Sequence, residues 1–281
     1  MTSCKLRIAG AVIQIQCEFS VQISANYPPF LAAETAPADH TITVRTVDAL
    51  PPVMNLGQPH LGQAEGLCGG VPCVVHGCLA GTPSMVELHP APGQTVCLYR
   101  ADRKPLRLEN LFNDLGLETV LWHFDTMILH SSFIRWKGRG ILFSAPCGTG
   151  KSTQADLWQK YMGADILNGD RSGLRKIDGL WVAHGLPYAG TSGIYRQEKA
   201  PVAAVVMLEQ APENTIVPMN PAQALRKIWP EVSLHRWDRA FTEKGLNLLT
   251  DFVTAVPFYK LSCRPDEGAV RLLHDTITHE V

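Results

Sequence analysis

The chain has 281 residues with 25 basic and 26 acidic side chains, so its formal net charge is −1. This balance excludes the simplest class of nucleic-acid-binding protein, because no overall positive charge draws the chain to a polyanion. Apolar residues make up 46% of the chain and charged residues 18%, which is typical of a globular protein with a substantial core. The longest stretch without Lys, Arg, Asp or Glu, residues 66–86, contains five glycines and two prolines and cannot span a membrane. We therefore expect a soluble, cytoplasmic protein that has neither a nucleic acid nor a membrane as its partner.

The eight cysteines lack the density of a secreted disulfide framework. Cys68, Cys73, His76 and Cys78 lie close together in sequence, but their spacing fits no standard zinc site. The favoured interpretation is a strand over residues 71–79 whose cysteines fill a core, and a zinc site is the alternative. Reduced thiols agree with a cytoplasmic location.

The first 117 residues predict a β-rich N-terminal domain. β-Branched and alternating residues separated by Pro/Gly turns predict strands over residues 5–17, 40–47, 71–79 and 94–99. A helix over residues 117–129 follows, because apolar residues recur there near helical spacing. We place the boundary at this helix, which gives predicted domains of residues 1–117 and 118–281.

The second half alternates strands and helices, which predicts an α/β domain. The predicted elements are a strand at 140–144, a helix ending at 162, strands at 165–168 and 203–208, a helix beginning at 220–221, a helix at about 238–253, a strand at 258–263 and a helix ending near 277. Asn220 is a favourable N-cap, and Pro221 suits a first helical turn.

The segment between the strand at 140–144 and the next helix has the pattern of a phosphate-binding loop, A-x-x-x-x-G-K-S. Glycines at 148 and 150 would let consecutive N–H groups converge on phosphate oxygens. Lys151 would bring a cation to the β- and γ-phosphates, and Ser152 would offer a hydroxyl to Mg²⁺. The predicted cofactors are thus ATP and Mg²⁺, and the predicted nucleotide contacts are Pro146, Cys147, Gly148, Thr149, Gly150, Lys151, Ser152 and Thr153.

Two local expectations accompany this motif. Ala145 stands where glycine is usual, which is acceptable if its φ is negative. The side chain of Lys151 is expected to be exposed to solvent until phosphate binds.

Asp170 follows the predicted strand at 165–168 and stands 19 residues after Lys151. A carboxylate at a strand end near a phosphate-binding loop can hold Mg²⁺ or accept a proton from an attacking hydroxyl. Asp165 is better suited to a solvent-facing or capping role. Arg171 either contacts a phosphate or forms a surface salt bridge.

The run at residues 130–152 (HSSFIRWKGRGILFSAPCGTGKS) resembles the HPr kinase/phosphorylase family, in which a histidine also opens a strand hairpin that leads into the phosphate loop. Residues 168–171 (NGDR) stand where that family has an acidic pair, and residues 185–193 and 205–209 resemble an HPr-kinase-like branch. The family is similar in fold to phosphoenolpyruvate carboxykinase. The resemblance therefore implies a mixed sheet around the phosphate loop.

The resemblance also implies roles for individual residues. Asp170 corresponds to the base, His130 would lie beside the γ-phosphate, and Arg196 would reach the transferred phosphate. On the residues alone, a core histidine is the favoured interpretation of His130, and the register of the resemblance reverses that preference. The chain departs from the family at Gly169-Asp170, where only one of the two acids is present.

The predicted function is Mg-ATP-dependent transfer of the γ-phosphoryl group to a hydroxyl, on a serine of a peptide or protein or on a small metabolite. The predicted catalytic residues are Asp170, His130, Lys151 and Arg196, and the predicted metal ligands are Ser152 and Asp170. One alternative is a carboxykinase-like enzyme, and another is a non-catalytic ATP-sensing regulator. The family resemblance also implies that the chain could form a homo-oligomer.

Overall fold

The structure is a computed structural model that describes residues 2–60, 62–78, 82–188, 190–233 and 239–279. The chain divides into two compact units, and the first ends at His123 and the second begins at Phe124. Each unit is built around one mixed β-sheet. The mixed α/β architecture with a β-rich N-terminal part, predicted from the sequence, is confirmed.

Among the described residues, the first unit contains seven strands and two short α-helices. They are β1 (Thr2–Ile8), β2 (Ala11–Cys17), β3 (His40–Val47), β4 (Gln63–Cys68), β5 (Val71–His76), β6 (Met85–Ala91), β7 (Gln94–Arg100), α1 (Leu108–Leu115) and α2 (Leu117–Trp122). The strand order is β1-β2-β3-β7-β6-β5-β4. The strand β3 is parallel to both of its neighbours, and the other pairs are antiparallel.

The structure differs from the sequence predictions at the strands expected over residues 5–17 and 71–79. The predicted single strand at 5–17 is wrong, because Ala9 and Gly10 have φ of 48° and 87° and form a tight turn between β1 and β2. The strand predicted at 71–79 ends at His76, and its predicted end, Leu79, lies outside the described residues. Cys73 on this strand is buried in a small apolar cluster, as the core interpretation expects.

The second unit has nine strands and four α-helices among the residues described. They are β8 (Thr126–Trp136), β9 (Arg139–Ser144), α3 (Lys151–Met162), β10 (Asp165–Asn168), β11 (Arg171–Ile177), β12 (Leu180–Gly185), β13 (Lys199–Gln210), β14 (Thr215–Pro218), α4 (Pro221–Ile228), β15 (Val232–Ser233), α5 (Arg239–Ala255), β16 (Phe258–Cys263) and α6 (Glu267–His279). Asn220 caps α4 as predicted, and Gln223 completes a capping box with it. The predicted helix start at Asp238 lies outside the described residues.

The sheet of the second unit is covered by helices on both faces. Alternate residues of β13 enter two separate cores: Val205 and Met207 join the core that includes α4 and α5, whereas Val206 and Leu208 join the core that includes α3 and α6. This arrangement explains the continuous apolar run of β13, since a strand buried on both faces needs no polar alternation. None of the helices formed by the described residues is both long and apolar enough to cross a membrane.

The predicted helix at 117–129 is wrong beyond its first half. The helix α2 ends at Trp122, Asp125 adopts a left-handed conformation with φ of 50°, and β8 starts at Thr126. The first part of β8 pairs with β11 and its last part with β9, so the strand lies inside the sheet. The apolar run at its start, residues 127–129, therefore reflects a buried position inside the sheet rather than a helical stripe.

Candidate functional site

The segment 145–150, which we call the glycine loop, connects β9 to α3. Gly148 and Gly150 have φ of 80° and 112°, and an added Cβ would meet nothing within 4 Å at either position. These glycines are therefore required by the backbone conformation and not by crowding. Ala145 is 1% exposed, and it is not among the five non-glycine residues of the described chain that have positive φ. The expected conformation of Ala145 is confirmed.

Hydrogen bonds fix the glycine loop from within and from the neighbouring strand. Thr149 Oγ1 donates to the carbonyl oxygen of Pro146 at 2.9 Å. Gln210, at the end of β13, donates to the carbonyls of Gly148 at 3.3 Å and Thr149 at 3.5 Å. These contacts engage the loop carbonyls, whereas the first N–H groups of α3 have no partner within the helix. The loop is thus arranged to present N–H donors at a helix N-terminus, which favours an anion.

Lys151 is the first residue of α3, and its side chain folds back onto the glycine loop. It is only 8% exposed, and Nζ donates to the carbonyls of Ala145 at 2.7 Å and Pro146 at 3.3 Å. The expectation that this side chain is exposed to solvent is wrong. Burial lowers the pKa of Lys151, while electrostatic interactions with Glu231, Cys147 and Asp170 act to raise it. These three residues are therefore near enough to interact electrostatically with the ammonium group.

Asp170 lies in the turn between β10 and β11, with its side chain 29% exposed. Its carbonyl oxygen accepts a hydrogen bond from the backbone N–H of Ser131 at 3.0 Å, which fixes it beside β8. The Oδ2 atom of Asp170 lies 3.6 Å from Arg171 Nε, so Arg171 forms the predicted salt bridge. The guanidinium of Arg171 also lies over the ring of Tyr188, 5.0 Å from its centroid.

Asn168 holds this turn in place, and the sequence analysis did not single it out. The residue is fully buried, and its Oδ1 accepts the backbone N–H groups of Asp170 at 2.8 Å and Arg171 at 2.9 Å. Its Nδ2 donates to the carbonyls of Leu186 at 2.8 Å and Tyr188 at 3.0 Å. The run Asn-Gly-Asp directly after a strand was the available signal, because Asn side chains commonly bind the backbone two residues further on.

His130 is paired with a carboxylate that the sequence did not reveal. Its Nδ1 lies 3.0 Å from Glu231 Oε2, with the two side chains 31% and 10% exposed. The short strand β15 pairs antiparallel with β8, with Val232 opposite Leu129, which brings Glu231 next to His130. The carbonyl of His130 accepts a hydrogen bond from Ser144 Oγ at 2.9 Å, so the same residue is tied to the strand that enters the glycine loop.

Arg196 is placed less centrally than the other predicted catalytic residues. Arg196 Nη1 lies 3.8 Å from Glu198 Oε1, and Glu198 also pairs with Arg135 at 2.6 Å. Within the described parts of the chain, no hydrogen bond or ion pair joins Arg196 to Lys151, Asp170 or His130. The structure thus brings together Lys151, Asp170 and His130, and it adds Glu231.

Two clefts flank the end of β13. The larger, of about 440 Å³, is lined by residues of the glycine loop and α3 and by the segment after β16, among them Gly148, Thr149, Thr153, Gln210 and Arg264. The smaller, of about 220 Å³, is lined among others by Ala145, Pro146, Glu209, Arg226, Lys227 and Glu231. The larger cleft falls within the size range of small-molecule sites.

A solved structure, the Hpr(Ser) kinase/phosphatase from Coxiella burnetii, is distantly similar to this chain. The similarity covers 54% of this chain and 88% of that chain, with 11% sequence identity and a TM-score of 0.30. No curated protein matches the chain. Residues 117–266, more than half of the chain, match the family described as SynChlorMet cassette protein ScmC. The chain belongs to this family.

Proposed function

We propose that the protein is an HPr-kinase-like phosphotransferase that uses Mg-ATP and transfers the γ-phosphoryl group to a hydroxyl. The observation that carries the proposal is the surroundings of Lys151. This lysine begins a helix directly after a loop with two left-handed glycines, and its ammonium group interacts electrostatically with Asp170, Glu231 and Cys147. P-loop phosphoryl-transfer sites combine backbone N–H donors at a helix N-terminus with a lysine and a nearby carboxylate.

The nucleotide phosphates would bind over the glycine loop and the N-terminus of α3. The ammonium of Lys151 now donates to the carbonyls of Ala145 and Pro146. A phosphate oxygen is a stronger, charged acceptor, so the ammonium would exchange these carbonyls for the β- and γ-phosphates. The larger cleft continues from the glycine loop toward Arg264 and is large enough for a nucleoside.

The magnesium ion would be held by the Ser152 hydroxyl and the Asp170 carboxylate. The described residues contain no group of three or more His, Cys, Asp or Glu side chains that could hold a metal. A sparse set of hard oxygen donors still fits Mg²⁺, which usually takes one or two carboxylates together with phosphates and water. When bound, the ion would neutralise charge on the transferred phosphoryl group.

The acceptor hydroxyl is a poor nucleophile at neutral pH and must lose its proton as the phosphoryl group is transferred. Asp170 can serve the reaction in either of two ways, by accepting this proton or by holding the metal. The acceptor would be a serine of a peptide or protein, or a small metabolite.

Asp170→Asn tests the proposal, because it keeps the shape of the side chain and removes its charge. Its ADP formation from Mg-ATP should fall by about 10²-fold or more. Asp165→Asn is the matched control, since Asp165 lies at the other end of β10, 52% exposed and paired with Arg135. This control should turn over like the parent protein, and Lys151→Ala should lose Mg-ATP binding.

The measurements are ADP formation, with water and with serine-containing peptides as acceptors, and Mg-ATP affinity by titration. If affinity is retained in Asp170→Asn, the carboxylate accepts the proton; if affinity falls with turnover, it holds the metal. Turnover close to that of the parent in this variant would contradict the proposed kinase. A parent protein that binds Mg-ATP and forms no ADP would instead favour an ATP-sensing regulator.

A further inference from the structure

Glu231 is a second carboxylate beside Lys151, and it comes from an element remote in sequence from Asp170. It ends a single 3₁₀ turn after α4, and the pairing of β15 with β8 fixes its position. Its side chain is 10% exposed and touches His130. Among the interactions that raise the pKa of Lys151, the one with Glu231 is larger than those with Cys147 and Asp170.

The contact with Glu231 determines which nitrogen of His130 is available. An ionised carboxylate can only accept hydrogen bonds, so Nδ1 must be the donor in the 3.0 Å contact. In the neutral ring, Nε2 then carries the lone pair and can accept a proton. The His130 side chain is 31% exposed, so part of the ring remains accessible. A histidine that is held at one nitrogen by a carboxylate and has part of its ring accessible is suited to general-base catalysis.

We propose that His130 accepts the proton of the attacking hydroxyl and that Glu231 is its positioning residue. The inference rests on the proposed kinase function and extends it, because it leaves Asp170 to hold the metal. It also accounts for the single acid at Gly169-Asp170, since the second carboxylate of the site is supplied by Glu231.

The acceptor O–H transfers its proton to His130 Nε2, and the oxygen forms a bond to the γ-phosphorus. The bond between the γ-phosphorus and the bridging oxygen breaks, and ADP leaves with that electron pair. The carboxylate of Glu231 stabilises the imidazolium through Nδ1–H, and the imidazolium then releases its proton to water.

The test compares Glu231→Gln, His130→Ala and the double variant, with Mg-ATP as substrate and water as acceptor. Glutamine keeps the size of the side chain and removes the charge that stabilises the imidazolium. We expect kcat for ADP formation to fall by about 10²-fold in Glu231→Gln, with unchanged Mg-ATP affinity. The double variant should be no slower than His130→Ala, because Glu231 acts only through His130.

Glu209→Gln is the matched control, because Glu209 lines the same smaller cleft but pairs with Lys260 at 2.5 Å. This control should retain the kcat of the parent. The midpoints of thermal unfolding of all variants show whether a loss of kcat reflects a damaged fold.

Three results would overturn the inference while leaving the proposed function intact. They are a parental kcat in a folded Glu231→Gln, a double variant slower than His130→Ala by the full factor of Glu231→Gln, and an Asp170→Asn variant that loses turnover but keeps its Mg-ATP affinity. A parent protein that forms no ADP would overturn the proposed function, and the inference would fall with it.

Discussion

Cys147 differs from the other cysteines in both exposure and surroundings. It is exposed in the glycine loop, whereas Cys17, Cys73, Cys97 and Cys263 are buried. Burial raises the pKa of the Cys17 thiol to about 11 and the pKa of the Cys97 thiol well above its usual value. Because the thiolate is the reactive form, these buried thiols should react slowly.

We predict that a small alkylating reagent modifies Cys147 before any other cysteine and that Mg-ATP protects it. The protection follows from the proposed function, in which the phosphates lie over the glycine loop. The measurement is the extent of labelling at each cysteine over time, by peptide mass analysis, with and without Mg-ATP. Cys147→Ser is the control and should remove the fast phase. Equal labelling of Cys147 in both conditions would contradict a nucleotide bound at this loop.

At the scale of the structural elements, the turn between β10 and β11 is shaped by the segment that follows β12. A Cβ added at Gly169 would lie 1.9 Å from Ser192 Oγ and 2.6 Å from Ser192 Cβ. The N–H of Gly169 also donates to the carbonyl of Ile194 at 3.3 Å. This packing leaves no room for a side chain at 169, which gives a physical reason for the absence of a second acid there.

Gly169→Ala should therefore destabilise the protein by about 1–3 kcal/mol, the usual cost of overpacking. Ser192→Gly in the same chain should restore most of this loss, because it removes both of the atoms that clash. Ser192→Ala should restore less, since its Cβ would remain. The free energies of unfolding in urea of the three variants and the parent provide the comparison. A Gly169→Ala protein as stable as the parent would show that the segment around Ser192 moves away at little cost.

The sequence predicts the elements whose signals are local. The strand β9 and the helix α3 on either side of the glycine loop are determined by neighbouring residues only. The same is true of the cap of α4 at Asn220. The structure confirms these elements and the cap. The hairpin of β11 and β12 was missed although Asp178-Gly179 marks it, with φ of 49° and 82°. An Asp-Gly pair directly before the apolar run of β12 was an available signal.

Glu231 could not be predicted in this way. It is separated from His130 by 101 residues, and the two meet only because β15 pairs with β8 in one register. A strand of two residues, Val232 and Ser233, carries no periodicity of its own. Its position is determined by tertiary pairing, and so is the composition of the site around Lys151.

At the scale of the whole molecule, each unit contains a buried histidine whose pKa is lowered by its surroundings. In the first unit, burial lowers the pKa of His40 to about 4, helped by His123 and His89 and opposed by Glu87. In the second unit, burial lowers the pKa of His184 to about 4, helped by Lys199 and Arg175. The two side chains are 1% and 6% exposed, so the charged form would be poorly solvated in either place.

These two histidines should make the protein unstable in mild acid. In the unfolded chain each would titrate near its ordinary pKa of 6.5, so the unfolded state binds more protons than the folded state as the pH falls from 6.5 toward 4. The stability is fully present above pH 6.5 and is lost across this window, by about 3 kcal/mol for each histidine. His40→Gln and His184→Gln cannot acquire this charge, so each should lose less stability between about pH 7 and about pH 4 than the parent.

The measurement is the free energy of urea unfolding of the parent and the two variants at both pH values. If the free energy of unfolding falls equally in the parent and in His40→Gln, His40 is not buried in its neutral form. An equal fall in His184→Gln would show the same for His184.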